Sequence, residues 1–207
     1  MIAAILDIVE SKDLDSDSRK EMDDELRNLL TTLYDRFEKY CSSRPALTQG
    51  DSIELLVTSW QPVVFLFHRL LMDGLQFRVG LGTGGITLQK DQADESDGPA
   101  FWNARMALDE IKEMRYMTRS ADFRIDENSS KIEANMVITS ILFLTSFLGQ
   151  STTQLQQCYY YLWDQKNLSE ISEIVKTSKA NVSKTLSKTP CYILKNTMAF
   201  LEDLYQQ

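Results

Sequence analysis

Two carboxylates open the functional reading. Asp7 is the only charged residue in the apolar run IAAILDIV, and Asp51 sits in a Gly50-Asp51 turn between two strand-like segments. Carboxylates brought together at strand ends make a hard-cation site, suited to Mg²⁺ or Mn²⁺ holding phosphates. The competing reading is local: a strand-end Asp and a turn Asp, each placed for nearby backbone hydrogen bonds. Gly80, Gly82, Gly84 and Gly85 form a second cluster. A glycine-rich loop can cradle phosphate, but this one joins two strand-like segments and opens no helix, so a tight β-turn is expected. His68, the single histidine, lies in the apolar segment WQPVVFLFHRLLM. It is expected to be packed rather than catalytic, since no Ser/His/Asp or Cys/His set assembles around it.

A third set is basic. Residues 165–196 hold six Lys against two acids, in a chain whose net charge is −8. Lys179, Asn181, Lys184, Thr185 and Lys188 fall on or beside one short helical segment, ANVSKTL. Lysines reach phosphates and Asn can pair with an adenine edge, so a DNA-facing surface is expected there. The alternative is a helical unit used for packing or protein contact.

These residues need elements to position them. Residues 2–9 read as a buried strand. Residues 15–40 carry Leu26, Leu29, Leu30, Leu33 and Phe37 at helical spacing behind an Asp/Ser-rich start. Residues 46–49 and 52–58 read as a hairpin, and residues 60–72 as a buried helix stopped by Gly74. Residues 75–82 and 85–89 read as two short strands, 99–117 as a helix with Pro99 in its first turn, and 121–125 as a strand. That order, β-α-β-β-α-β-β-α-β, predicts an α+β sandwich with an antiparallel component. A strongly apolar connecting helix follows at 132–148. It reads as an inter-domain core or as a homodimer interface. Three short helices close the chain, at 153–163, 168–175 and 180–186, with Ile171, Val175, Val182 and Leu186 as their small core. The expected division is 1–128, 129–150 and 151–207.

Composition bounds the rest. A chain of 207 residues, 43% hydrophobic and 25% charged, is long and apolar enough for a real core, which excludes a disordered or collagen-like protein. Residues 1–130 carry 15 Lys and Arg against 24 Asp and Glu, while residues 131–207 carry 7 against 6. An acidic front and a near-neutral back imply different tasks. Cys41, Cys158 and Cys191 are scattered with no CxxC, which predicts reduced thiols and a cytoplasmic setting rather than disulfides or zinc. The apolar start lacks a basic n-region, and no apolar stretch reaches the ~20 residues of a membrane span.

The run ILDIVES, QGDSIELLV, FRVGLGTGGI and GPAFWNAR resembles the nucleotidyl-cyclase fold of the class III adenylate and guanylate cyclases. Asp7, Asp51, Arg78, Gly80 and Gly84 match its pattern. The resemblance implies a ferredoxin-like or nucleotidyl-cyclase-like sandwich with Mg²⁺ or Mn²⁺ on Asp7 and Asp51. It also implies phosphate contacts from the backbone of Ile8 and Val9, a nucleotide site including Gly50 and Arg105, and pairing into a homodimer. Two positions depart from it. Leu47 stands where the family has a base-selecting Lys, and Trp102 where it has a transition-state Asn. Asn103 and Arg105 follow at a spacing of two rather than four. Losing one such donor costs ~10²–10³ in rate, so a nucleotide-binding or vestigial domain is expected over an active metal-dependent cyclase.

The chain more closely resembles the SatD family, bacterial cytoplasmic proteins. The match runs through Asp7-Ile8, Gly50-Asp51, Gly80 to Gly82, Ile86-Thr87 and, most specifically, DGPAFWNAR at 97–105. The segment LSEISEIV…ANVSKTL resembles the helix-turn-helix of bacterial regulators, especially the region-4-like class of sigma factors. Together these imply a DNA-binding regulator with a nucleotide- or metal-sensing or dimerising front domain. A metal-dependent enzyme on a nucleoside triphosphate and a protein-interaction scaffold are the alternatives.

Overall fold

The structure, a computed structural model, describes residues 1–9, 15–48, 51–113, 120–124, 150–192, 194–196 and 199. Gly50, the tail of the third expected helix, the expected boundary at 128–129 and the connecting helix at 132–148 lie outside the described residues. The chain is a mixed α+β protein. Its elements are β1 (Ile2–Ile8), α1 (Ser16–Phe37), β2 (Ala46–Thr48), β3 (Ser52–Val57), α2 (Gln61–Met72), β4 (Phe77–Thr83), α3 (Pro99–Glu113), β5 (Ser120–Arg124), α4 (Thr152–Leu162), α5 (Leu168–Ile174) and α6 (Lys179–Leu186).

The five strands form one sheet in the order β2-β3-β1-β4-β5. All neighbours are antiparallel except β4 and β5, which run parallel across α3. Side chains alternate between the two faces. Ile2, Ala4, Leu6 and Ile8 of β1 join Ile53, Leu55 and Val57 of β3 and Phe77, Val79 and Leu81 of β4 in a core that α1 and α2 cover. Ala3 and Ile5 face the other way, against Ala100, Phe101, Ala104 and Leu108 of α3. Helices therefore lie on both faces of the sheet. Asp7 belongs to the α3 face, beyond the end of its apolar patch.

Three expectations are corrected. Residues 85–89 form no strand; only an isolated bridge joins Leu88 to Asp97. Gly80 and Gly82 are not turn residues either but lie within β4. A Cβ at Gly80 would overlap the Ala104 carbonyl oxygen and stand 2.5 Å from the Leu108 nitrogen. One at Gly82 would overlap the Ala100 carbonyl oxygen and the Ala104 nitrogen. The glycines with Ala100, Ala104 and Ala107 let α3 lie directly on the sheet, a packing requirement that reads in sequence as a loop. The third correction concerns sulfur. Cys158 and Cys191, expected as free thiols, are joined in a disulfide across 33 residues, with Cα atoms 5.6 Å apart. Both are buried, one on α4 and one just past α6, and only the folded helical unit brings them together. Cys41 remains free.

The three C-terminal helices are short and well capped. Asn167 with Glu170 forms a capping box on α5, and Ser178 caps α6. Their own core is Ile171, Val182 and Leu186, all fully buried, with Val175 at its edge. The turn between α5 and α6 passes through Lys176 at φ 51°, a left-handed conformation that usually selects glycine. The unit docks through α4 on α2. Phe65 lies against Tyr159 and Trp163, with ring centroids 6.0 Å and 5.3 Å apart. His68 is packed, as expected. Its Nε2 donates to the Leu155 carbonyl at 2.7 Å, and its Nδ1 accepts from Trp163 Nε1 at 2.9 Å. That pair of bonds fixes a neutral tautomer. Burial, helped by the Arg69 charge, pushes the imidazole down to about 4. No helix among the described residues is long and apolar enough to cross a membrane.

Candidate ligand cleft and candidate nucleic-acid face

A cleft of about 990 Å³ opens on the α3 face of the sheet, beside the C-terminal half of α3. Sheet register builds its floor. Asp7 on β1 lies opposite Ser52 on β3 and opposite Arg78 on β4, so the three share one row. Glu54 is opposite Ile5, one step further along the same face. α3 forms the wall with Arg105, Asp109 and Lys112, and Arg19 comes from α1. Asp51 lies at the rim, next to Asp7 in space as the hairpin implied, its carbonyl accepting from the Ile8 amide.

Two ion pairs lie within the cleft. Lys112 Nζ lies 2.5 Å from Asp7 Oδ2. Arg105 lies 3.6 Å from Glu54. Glu54 is only 9% exposed. Burial pushes its carboxyl above the ordinary glutamate value; Arg105 opposes that shift, and Asp94 and Asp7 add to it. The Arg78 Nε is buried and without a hydrogen-bond partner among the described residues.

The residues expected at this site do not all serve as expected. Asp7, Asp51 and Arg105 line the one cleft. Ile8 and Val9 lie there too, but their amides are engaged: Ile8 N–H donates to the Asp51 carbonyl at 2.9 Å and Val9 N–H to the Gln76 carbonyl at 2.8 Å. Those amides close the sheet end rather than stand ready for a phosphate. Leu47 is half-buried against the core on β2. Trp102 is on the outer side of α3, 52% exposed, with its indole nitrogen donating to Asp97. Neither position supplies a base-selecting or charge-stabilising donor. Glu54 and Lys112 were missed. Glu54 was legible as the one acid among the apolar residues of SIELLV; nothing local in the sequence pointed to Lys112.

The resemblance to cyclases implies Mg²⁺ or Mn²⁺ on Asp7 and Asp51, and the side chains test that implication. Among the described residues no group of three or more His, Cys, Asp and Glu side chains converges to hold a metal. Asp7 already has an ammonium as its counter-ion. A divalent cation on Asp7 would have to displace Lys112.

The basic set lies elsewhere, on α6 and just past its end. Lys179, Asn181, Lys184 and Lys188 are exposed and Thr185 is half-buried. Asn181, Lys184, Thr185 and Lys188 line a shallow groove with Ser151, Thr153 and Gln154 at the start of α4. No ion pair among the described residues engages Lys179, Lys184 or Lys188. The Asn181 side-chain amide donates to Thr177 Oγ1 at 2.9 Å, which orients its remaining polar atoms outward.

Comparison with known proteins gives the family. No curated protein matches the chain. The SatD family model matches residues 1–200, nearly its full length and through both the cleft and the basic helix, and the chain belongs to the SatD family.

Proposed function

We propose that the protein is a cytoplasmic DNA-binding regulator. In this reading α4, α5 and α6 are a helix-turn-helix unit, with α6 as its recognition helix. The ferredoxin-like, nucleotidyl-cyclase-like front of the chain senses a nucleotide or serves to pair two copies. The observation that carries the reading is the row of cations on and just past α6, without ion pairs among the described residues and beside an exposed Asn, in a chain that is otherwise acidic. A positive surface on a negative protein suits phosphate contact. A single module with so few cations binds weakly, and a homodimer doubles its contacts. In a reducing cytoplasm the Cys158–Cys191 pair would cycle to buried thiols. The test is fluorescence anisotropy of a labelled duplex, comparing the native chain with Lys184→Ala/Lys188→Ala. Binding that the double variant weakens supports the reading; equal binding refutes it.

A second reading, an enzyme acting on a nucleoside triphosphate, draws on the cleft with its strand-end carboxylates and four cations. It requires turnover of ATP or GTP that Asp51→Ala abolishes. A chain that binds neither DNA nor nucleotide would instead be an interaction scaffold.

A further inference from the structure

At the Asp7 carboxylate the cyclase resemblance and the geometry part. The resemblance puts a divalent cation there; the structure puts Lys112 Nζ 2.5 Å from Oδ2. Lys112 lies two turns beyond Arg105 on α3, and residues seven apart share a helix face. α3 thus sets two cations against the two carboxylates that β1 and β3 present, Lys112 on Asp7 and Arg105 on Glu54. The Lys112 and Asp7 side chains are 40% and 27% exposed, so the contact is only partly shielded from solvent and salt. An ammonium at this range neutralises the carboxylate. A divalent ion on the same carboxylate would stand beside a like charge and would have to displace it.

We propose that Lys112 is a tethered cation that takes the place of the divalent ion at Asp7, so that the cleft excludes Mg²⁺ and Mn²⁺ and accepts an anionic ligand without them. Arg19, Arg78 and Arg105 line the same cleft. With Lys112 they supply for a phosphate the positive charge that a metal supplies elsewhere. Lysine suits the role because its ammonium is a compact point charge on a flexible stem, able to leave Asp7 for a ligand oxygen. This inference rests on the cleft being a ligand site, but its test needs no nucleotide.

The probe is Mn²⁺ alone, followed by the electron paramagnetic resonance signal of the free ion, with the full-length chain. The native protein leaves that signal as it is in buffer. Lys112→Met, with its charge removed, takes up Mn²⁺ roughly ten- to a hundredfold more tightly. Lys112→Met/Asp7→Asn loses that uptake, and Lys112→Arg excludes the ion as the native chain does. Circular dichroism checks the fold, and Lys112→Gln carries the same expectation should the Met variant misfold. Native protein that binds Mn²⁺ as tightly as Lys112→Met overturns the proposal. So does failure of the folded, charge-removed variants to bind it at all. Failure of the cleft as a nucleotide site would register separately, as no heat on titrating ATP or GTP into the native chain with EDTA present.

Discussion

His68 shows what a single residue does here. It is the only histidine, it is buried, and both ring nitrogens bond to α4 or the residue after it. The ring is held neutral, with its titration pushed down to about 4 from an ordinary 6.5. The unfolded chain takes up the proton at the ordinary value and the folded chain does not. Stability from this group is therefore whole above pH 6.5 and is lost as pH falls towards 4, to a total of about 3 kcal/mol. We expect denaturant melts between pH 7 and pH 4.5 to show this loss, and His68→Gln to flatten it. A slope identical in the variant would remove His68 as its source. Glu54 has the opposite sign. Its raised carboxyl makes the charged form costly in the folded state, so Glu54→Gln should raise the melting temperature at neutral pH. That gain should fade towards the ordinary glutamate value, below which both states are protonated. A variant less stable than the native chain at pH 7 would show that the Arg105 pair outweighs burial. The role of His68 was legible from its apolar surroundings. That of Lys112 was not, because its partner lies 105 positions earlier in the chain and only the docking of α3 joins them.

Elements assemble where small residues allow it. β1, the β2–β3 hairpin and α2 were legible because their apolar periodicity and turn residues are local signals. Gly80 and Gly82 read as part of a turn because they answer to α3 rather than to the chain around them. A glycine chosen for close helix approach is identical in sequence to one chosen for a turn. The consequence is sharp: Gly80→Ala places a methyl group in the Ala104 carbonyl, which is backbone and cannot step aside. We expect a destabilisation of about 3 kcal/mol or more, measured by urea denaturation, with α3 displaced from the sheet. A loss within ~0.5 kcal/mol, the range of an ordinary surface change, would show that α3 does not lie this close. The disulfide acts at the same scale. It closes a 33-residue span that contains α5 and α6 entire. Reduction should therefore cost the helical unit about 3.5–4 kcal/mol by the loop-entropy model. Thermal melts with and without a reductant, compared with Cys158→Ser, measure that; melts that coincide would show that the cross-link adds nothing. The sequence held no sign of it, since three spaced cysteines fit free thiols equally well.

On the scale of the whole molecule, charge and packing divide the work. The acidic front holds a cleft in which Lys112 pairs with Asp7 and Arg105 with Glu54. The C-terminal helices turn a neutral-to-basic face outward and dock on α2 through His68, Tyr159 and Trp163. That docking gives the two ends of the chain a shared core, and a route by which a change at one can be felt at the other. The front fold was broadly legible, and so was the helical unit at the end, because capping residues and a four-residue apolar core lie close in sequence. The cleft chemistry was half legible: the carboxylates stand where expected, but the cations that neutralise them had to be found in space. Whether α6 meets nucleic acid is the central claim, and salt dependence tests it most directly. Binding of a labelled DNA duplex would be measured from low to moderate salt for the native chain and for Lys184→Ala/Lys188→Ala. We expect the logarithm of the native binding constant to fall linearly with the logarithm of salt, and the slope of the variant to be shallower by about 1.8, two phosphate contacts fewer. An unchanged slope, or no native binding at the lowest salt, would contradict the assignment of α6 to DNA.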